Sequence, residues 1–170
     1  MDRTDAFGAD GAGLDTYLPA PRPLSADDAD LFHVDGADGA AIACYAWREA
    51  PAEAPALIWG HANGFNAGSY APVLRRLASH FRVFAFDARG HGASPAPAGE
   101  PAAMFTMDRL AADLARIVAA VRTRIGPDRP LHYAAHSMCG NAAILLEARH
   151  GEAPFRSLTL FEPPIHPPAD

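Results

Sequence analysis

Cysteine and long hydrophobic runs are both scarce in this sequence. Its two cysteines, Cys44 and Cys139, are too few for a disulfide framework and lie far apart, so free thiols in a reducing compartment are expected. No stretch reaches the roughly 18 consecutive apolar residues that cross a bilayer. The amino-terminal residues do not form a secretory signal. The sequence therefore predicts a soluble, cytoplasmic protein without a membrane partner.

Basic charge is also in deficit. The chain has 14 Lys and Arg against 20 Asp and Glu, a formal net charge of −6. A general nucleic-acid binder needs surplus basic residues to neutralise phosphates, so no nucleic-acid partner is expected. Residues 8–13 are glycine-rich but lack the G-x-G-x-x-G spacing and follow no strand, which argues against a dinucleotide-binding protein. No metal and no cofactor is predicted.

What remains is the composition of one globular domain. The chain has 170 residues, of which 49% are hydrophobic and 20% charged, and this suits a single domain with its own core. Residues 1–27 are rich in Gly, Ala, Asp and Pro without periodicity, which predicts a flexible tail. Residues 28–165 are predicted to form the core, and residues 166–170 to begin a tail or lid segment.

Short apolar runs alternate with amphipathic segments along the predicted core, which indicates strands alternating with helices. Strands are predicted at 31–34, 41–47, 56–59, 83–86, 131–135 and 158–161. Helices are predicted at 70–80 behind a Ser69 N-cap, from about Thr106 to Gly126, and directly after Ser137, where residues 141–149 continue a helix. This order predicts an α/β fold with three layers and a doubly wound, mainly parallel sheet. In such sheets the chemistry collects at the carboxyl ends of the strands.

Three of the predicted strands end in unusual polar sequences. These are His61-Ala62-Asn63-Gly64, Asp87-x-Arg89-Gly90-His91-Gly92-x-Ser94 and His136-Ser137-Met138-x-Gly140. The last has the small-x-Ser-x-small pattern of a nucleophile elbow, with Ala135 and Cys139 at the small positions. Such a turn strains the serine backbone and places it at a helix N-terminus, where amide dipoles favour negative charge. A serine that only caps the helix is the alternative.

Together and in this order, the three motifs resemble the α/β-fold hydrolase superfamily of esterases, lipases and C–C hydrolases. The resemblance implies that Ser137 attacks the carbonyl carbon of a small, ester-like substrate. It also implies an oxyanion hole made by the backbone N–H groups of Met138 and Asn63. Ala62 stands where the family usually has glycine. Four residues would brace these loops rather than react: His61, Asp87, Arg89 and His91.

A serine nucleophile also needs a histidine base and an acid that orients it, and in this fold both follow the serine in sequence. By the resemblance they lie beyond the sixth strand, and the sequence ends at Asp170 soon after it. Glu162 is a weak candidate for the acid. His166, in a proline-rich tail without a rigid support, is a weaker candidate for the base. His136 points away from Ser137 if strand alternation persists.

Two functions stay open at this point. The chain is a serine hydrolase, or the amino-terminal part of one, that cleaves an ester or similar acyl bond through an acyl-enzyme. The alternative is a non-catalytic fragment or remnant that keeps the fold but not the activity. A fold truncated after about the sixth strand would expose a hydrophobic sheet edge, so a missing carboxyl-terminal segment or a partner is expected to cover it.

Overall fold

Six strands form a single sheet in the computed structural model, which describes residues 28–96, 105–149 and 154–165. They are β1 (Ala29–Asp35), β2 (Ala41–Trp47), β3 (Ala56–Gly60), β4 (Arg82–Phe86), β5 (Leu131–His136) and β6 (Ser157–Phe161). Their order across the sheet is β1-β2-β4-β3-β5-β6. β1, β2 and β4 pair antiparallel, whereas β4, β3, β5 and β6 pair parallel. The sheet is therefore mainly parallel, as the sequence predicts.

Helices cover both faces of this sheet. They are α1 (Ala71–Leu77), α2 (Met107–Ile125) and α3 (Met138–Arg149), and short 3₁₀ turns occur at Ala37–Gly39 and Ala67–Tyr70. Ile58 packs into a core with the apolar sides of α2 and α3, while Leu57 and Trp59 pack into a second core with Leu74 of α1. Consecutive side chains of β3 point to opposite faces of the sheet, and both faces are covered. The side chains on each face must therefore be apolar, which explains the continuous apolar run. The predicted three-layer α/β class is confirmed.

One helix start differs from the prediction. The residue that caps the α1 region is Asn66 and not Ser69, because the Asn66 Oδ1 accepts the backbone N–H of Ser69 at 3.0 Å. The helix predicted at 70–80 is a 3₁₀ turn followed by α1, which ends at Leu77. α3 begins at Met138, directly after Ser137, where the elbow pattern predicts a helix N-terminus. It starts there because the carbonyl of Ser137 already accepts the N–H of Gly140 at 2.9 Å, which closes the first turn.

The sheet register brings the ends of the parallel strands to one edge. Gly60 lies opposite Ala135 in the β3–β5 pair, and His136 lies opposite Phe161 in the β5–β6 pair. Adjacent strands are about 4.8 Å apart, so the segments that follow them are close neighbours. The predicted tails at 1–27 and 166–170 lie outside the described residues. Within the part of the chain that the structure describes, no helix has both the length and the apolar composition to span a membrane.

Candidate active site

Ser137 occupies the turn between β5 and α3 in a left-handed backbone conformation, with φ of 51°. This region is costly for a residue with a Cβ, and it is found where the surroundings hold the chain firmly. Its N–H donates to the carbonyl of Phe161 at 2.8 Å, and its carbonyl accepts from Gly140 at 2.9 Å and Asn141 at 3.2 Å. The half-buried serine is thus fixed at the amino-terminus of α3, in the geometry of a nucleophile elbow.

Close contact between β3 and this turn explains the small residues around it. A Cβ added to Gly60 would lie 2.5 Å from the Cβ of Cys139 and would also collide with the Tyr133 hydroxyl. Burial raises the pKa of the Cys139 thiol to about 12, partly offset by a hydrogen bond from the His61 backbone. Burial likewise raises the pKa of the Cys44 thiol to about 12. Both thiols therefore stay protonated at neutral pH, and neither is a nucleophile.

An oxyanion-hole donor must not be engaged in another hydrogen bond, and the N–H groups of Asn63 and Met138 meet this requirement within the described ranges. Neither N–H donates a hydrogen bond to another residue of the described ranges, whereas the Ala62 N–H donates to the Tyr70 hydroxyl at 3.2 Å. Gly60 and Ala135 are paired across neighbouring strands, and Asn63 and Met138 follow these two residues at the same sequence separation. The two predicted donors are thus brought to the same end of the sheet as Ser137.

His61 is fully buried and hydrogen-bonded through both ring nitrogens. Its Nε2 accepts the backbone N–H of Ala88 at 2.9 Å, and its Nδ1 lies 2.7 Å from the carbonyl of Ala62. Since the first bond needs a lone pair on Nε2, the proton must be on Nδ1 and the ring neutral. Burial, the largest effect, lowers the pKa of His61, and a hydrogen bond to Ala62 opposes it. His61 therefore ties the loop after β3 to the loop after β4.

The Asp87 carboxylate, in the loop after β4, accepts three hydrogen bonds. It accepts the N–H of Ala67 at 2.7 Å, the N–H of Ala93 at 2.8 Å and the Tyr45 hydroxyl at 2.9 Å. A Cβ on Gly92, where φ is 52°, would collide with this carboxylate. The glycine in the motif is therefore required both by its backbone angle and by the close approach of Asp87.

Arg89 is fully buried and pairs with Asp113 of α2. Its Nε and Nη2 atoms lie 2.7 and 2.8 Å from the two carboxylate oxygens, a bidentate geometry. Asp113 also accepts the N–H of Ala37 at 2.7 Å. His91 follows Arg89 closely in sequence. Its Nδ1 lies 2.9 Å from the Arg89 carbonyl oxygen, and its Nε2 lies 3.2 Å from the Asn63 Oδ1. His91 therefore contacts the predicted oxyanion loop and not Ser137.

An open cavity of about 740 Å³ lies beside the turn at the carboxyl ends of β3, β5 and β6. Its wall is largely aromatic and aliphatic and consists of Trp59, Tyr70, Val73, His136, Leu160, Phe161 and Glu162. Tyr70 lines this cavity, whereas Phe65, Met138 and Ser137 itself are not part of its wall. Glu162, like Ser137, has a positive φ, here 48°.

A complete catalytic triad is not formed within the described ranges. There, no histidine hydrogen-bonds the Ser137 hydroxyl, and His136 instead bonds the Tyr70 hydroxyl through Nδ1 at 2.8 Å. The weak candidate acid Glu162 makes no hydrogen bond to a histidine in these ranges, and the weak candidate base, His166, lies outside them. The same ranges hold no cluster of three or more His, Cys, Asp or Glu residues suited to a metal ion.

Sequence reasoning missed three residues of this network: Tyr45, Asp113 and the polar role of Tyr70. Only Asp113 left a usable signal. It falls on the apolar side of α2, three residues after the buried Leu110 and next to the buried Leu114, and it is itself buried. A carboxylate in that position needs a cationic partner, and the buried Arg89 is that partner.

A serine in an elbow turn, beside the loops that follow β3 and β4 of a mainly parallel sheet, defines an α/β hydrolase. The chain belongs to the Hydrolase_4 family, described as serine aminopeptidase, S33, which matches residues 40–170. No match was found among curated protein sequences.

Solved structures similar to this chain are α/β hydrolases of about twice its length. A membrane phospholipase A, described as a bacterial virulence factor, is 27% identical with a TM-score of 0.66 over 85% of this chain and 43% of its own. A hydrolase from Pseudomonas aeruginosa PA01 is 30% identical with a TM-score of 0.63 over 77% and 45%. An alpha/beta hydrolase from Novosphingobium aromaticivorans, 20% identical, shares the fold with a TM-score of 0.67 over 80% and 45%. The chain thus spans under half of each.

Proposed function

We propose that this hydrolase is serine-dependent and cleaves an ester or similar acyl bond, with Ser137 as the nucleophile. The observation that carries the proposal is the strained backbone of Ser137 at the amino-terminus of α3, with φ of 51°. A serine that only capped the helix would adopt extended backbone angles, which carry no such strain. Residues held in this strained conformation cluster at active sites.

The groups around this turn supply the nucleophile and the oxyanion donors. The Ser137 Oγ attacks the carbonyl carbon and loses its proton to a general base, which the described ranges do not supply and which then protonates the leaving alcohol. Negative charge develops on the carbonyl oxygen, and the N–H groups of Met138 and Asn63 are the donors for it. Losing one such donor typically costs about 3–4 kcal/mol of transition-state stabilisation. Water then releases the acid from the acyl-enzyme.

The proposed substrate is a small molecule with an apolar acyl or alcohol group. The cavity supports this, since aromatic and aliphatic side chains dominate its wall and His136, the residue before Ser137, is part of it. One similar solved structure is named as a phospholipase A, which denotes ester cleavage. The buried free thiols Cys44 and Cys139 support a reducing, cytoplasmic location.

A second candidate function is a non-catalytic protein that keeps the hydrolase fold. One observation favours it: within the described ranges, the Ser137 hydroxyl has no histidine base. In that case the strained turn would be inherited without serving a reaction, and the chain would not turn over an ester.

Ester hydrolysis by the purified chain separates the two. With p-nitrophenyl butyrate, we expect turnover that falls by about 10⁴-fold or more in Ser137→Ala, as for other nucleophile deletions. Ser79→Ala is the matched control, because its hydroxyl only bonds the Arg76 carbonyl on the surface, and it should retain full activity. Equal rates in wild type and Ser137→Ala, or no turnover in either, would contradict the proposal.

A further inference from the structure

The Tyr70 hydroxyl joins the two segments that carry the proposed oxyanion donors. It accepts the N–H of Ala62, the residue before Asn63, at 3.2 Å. It also bonds Nδ1 of His136, the residue before Ser137, at 2.8 Å. We propose that Tyr70 is a positioning residue of the hydrolase, which holds the loop after β3 and the nucleophile turn in register. This inference rests on the proposed function.

The hydrogen atoms of this pair can be assigned by counting. A backbone N–H only donates, so the Tyr70 oxygen accepts from Ala62. The hydroxyl has one hydrogen, and His136 Nδ1 is its partner at hydrogen-bond distance. Neutral His136 therefore accepts at Nδ1 and carries its own proton on Nε2. Tyr70 thus selects one tautomer of the ring beside Ser137.

The bond to Ala62 matters because this residue lies between two peptide planes that set the Asn63 N–H. The plane before Ala62 contains its N–H, which Tyr70 holds. The plane after Ala62 contains both its carbonyl and the Asn63 N–H, which point in opposite directions. That carbonyl is held by the Phe65 N–H at 3.1 Å and by His61 Nδ1 at 2.7 Å. With both planes fixed, the direction of the Asn63 N–H is fixed.

The hydroxyl can be separated from the packing of the Tyr70 ring. The ring lies 5.2 Å from Trp59 and 6.0 Å from Phe65, measured between centroids, and these contacts need no oxygen. Tyr70→Phe therefore keeps the ring contacts and removes only the two hydrogen bonds. Tyr45→Phe is the matched control, since it also removes a tyrosine hydroxyl bond, to Asp87, without touching Ala62 or His136.

The first test reads the His136 tautomer in the full chain by ¹⁵N NMR of the imidazole nitrogens at pH 8, with His136→Gln to assign the signals. We expect wild type and Tyr45→Phe to give the Nε2–H form, and Tyr70→Phe to give a mixture. An Nδ1–H form in wild type, or an unchanged spectrum in Tyr70→Phe, would overturn the coupling. This measurement does not depend on activity.

The second test follows the rate at which a fluorophosphonate modifies Ser137. Misplacing one oxyanion donor loses part of the effect of deleting it, so we expect a rate about tenfold lower in Tyr70→Phe. An equal rate in Tyr70→Phe and wild type would overturn the positioning role. Absence of modification in wild type would instead overturn the proposed function. The NMR measurement of the His136 tautomer would still test the coupling between Tyr70 and His136.

Discussion

Buried charged and polar residues hold the strand-end loops in place at the scale of single residues. His61 and Arg89 are fully buried and Asp87 nearly so, and each makes at least two hydrogen bonds within its surroundings. A buried polar group with its partners costs little, but the same group without them is strongly destabilising. The stability of these loops therefore depends on pairs of hydrogen-bonded groups. Removing one group of a pair leaves the other buried without a partner, which lowers the free energy of unfolding.

Arg89 and Asp113 give the clearest case. We expect Arg89→Met to lower the free energy of unfolding by about 3–5 kcal/mol, because it leaves the Asp113 carboxylate buried without its cation. Arg48→Met is the control: Arg48 pairs with Asp30 at 2.8 Å on the surface, and such exposed pairs contribute about 1 kcal/mol or less. Urea unfolding of both variants measures the difference. Equal losses would contradict the buried pair.

His61 should make stability depend on pH. Burial lowers its pKa below the ordinary 6.5, so between the two values the unfolded chain binds a proton that the folded chain does not. The stability from neutral His61 is therefore complete above pH 6.5 and is lost as the pH falls through the folded pKa. In His61→Gln, whose amide oxygen still accepts from Ala88, we expect a shallower loss between pH 7 and 5. Denaturant unfolding across this range measures it, and identical slopes would exclude His61 as the cause.

The sequence identified His61, Asp87 and Arg89 because polar residues directly after buried strands are unusual. It could not identify their partners. Asp113 is 24 residues from Arg89 along the chain, and Tyr45 is 42 residues from Asp87. Pairs at such separations are created by the order of strands in the sheet, which local patterns do not contain. The tautomer of His136 depends on Tyr70 in the same way.

Local signals determine the elements more fully, and their errors are at the ends. Continuous apolar runs located β3 and β4 because both faces of these strands are buried. Thr106 was correctly predicted to begin α2, and its side chain accepts from the Arg109 N–H. Ser69 was wrong as a cap because Asn66, three residues earlier, accepts its N–H and opens the 3₁₀ turn before α1.

Two alanine variants distinguish these caps. Asn66→Ala removes the acceptor for both the N–H and the hydroxyl of Ser69, and we expect it to cost about 1 kcal/mol of stability. Ser69→Ala removes only a surface hydroxyl and should cost less than about 0.5 kcal/mol. Thermal unfolding of both proteins compares them. A larger loss in Ser69→Ala would restore the original interpretation of the sequence.

At the scale of the whole molecule, the described sheet has an apolar edge. β6 pairs with β5 on one side and with no strand of the described ranges on the other. Leu158 and Phe161 on this strand are 36% and 49% exposed, and Ile165 just after it is 73% exposed. Exposed apolar side chains on an unpaired strand favour association with another surface.

We therefore expect the purified chain to self-associate with rising concentration. Replacing both Leu158 and Phe161 with lysine should shift sedimentation toward the monomer, because charge on an edge strand opposes pairing. Leu31→Lys is the control, since Leu31 is also exposed but is isolated on the opposite edge strand, β1, and it should have no effect. Association that persists in the double variant would exclude β6 as its origin.

The position of Ser137 followed from the sequence because an elbow turn has a local signature. Its activation did not, since a base and an acid come from distant parts of a chain and no short pattern joins them. The sequence therefore predicts the fold class and the nucleophile. Whether Ser137 is activated by a base and an acid is tested by its reactivity in solution.

Mapping the site of covalent modification tests the central claim most directly. The chain is incubated with a fluorophosphonate, digested and sequenced by mass spectrometry, beside Ser137→Ala and Ser79→Ala. The account predicts one adduct, on Ser137, which is retained in Ser79→Ala and absent from Ser137→Ala. An adduct on another residue, or no adduct on the wild-type chain, would contradict it.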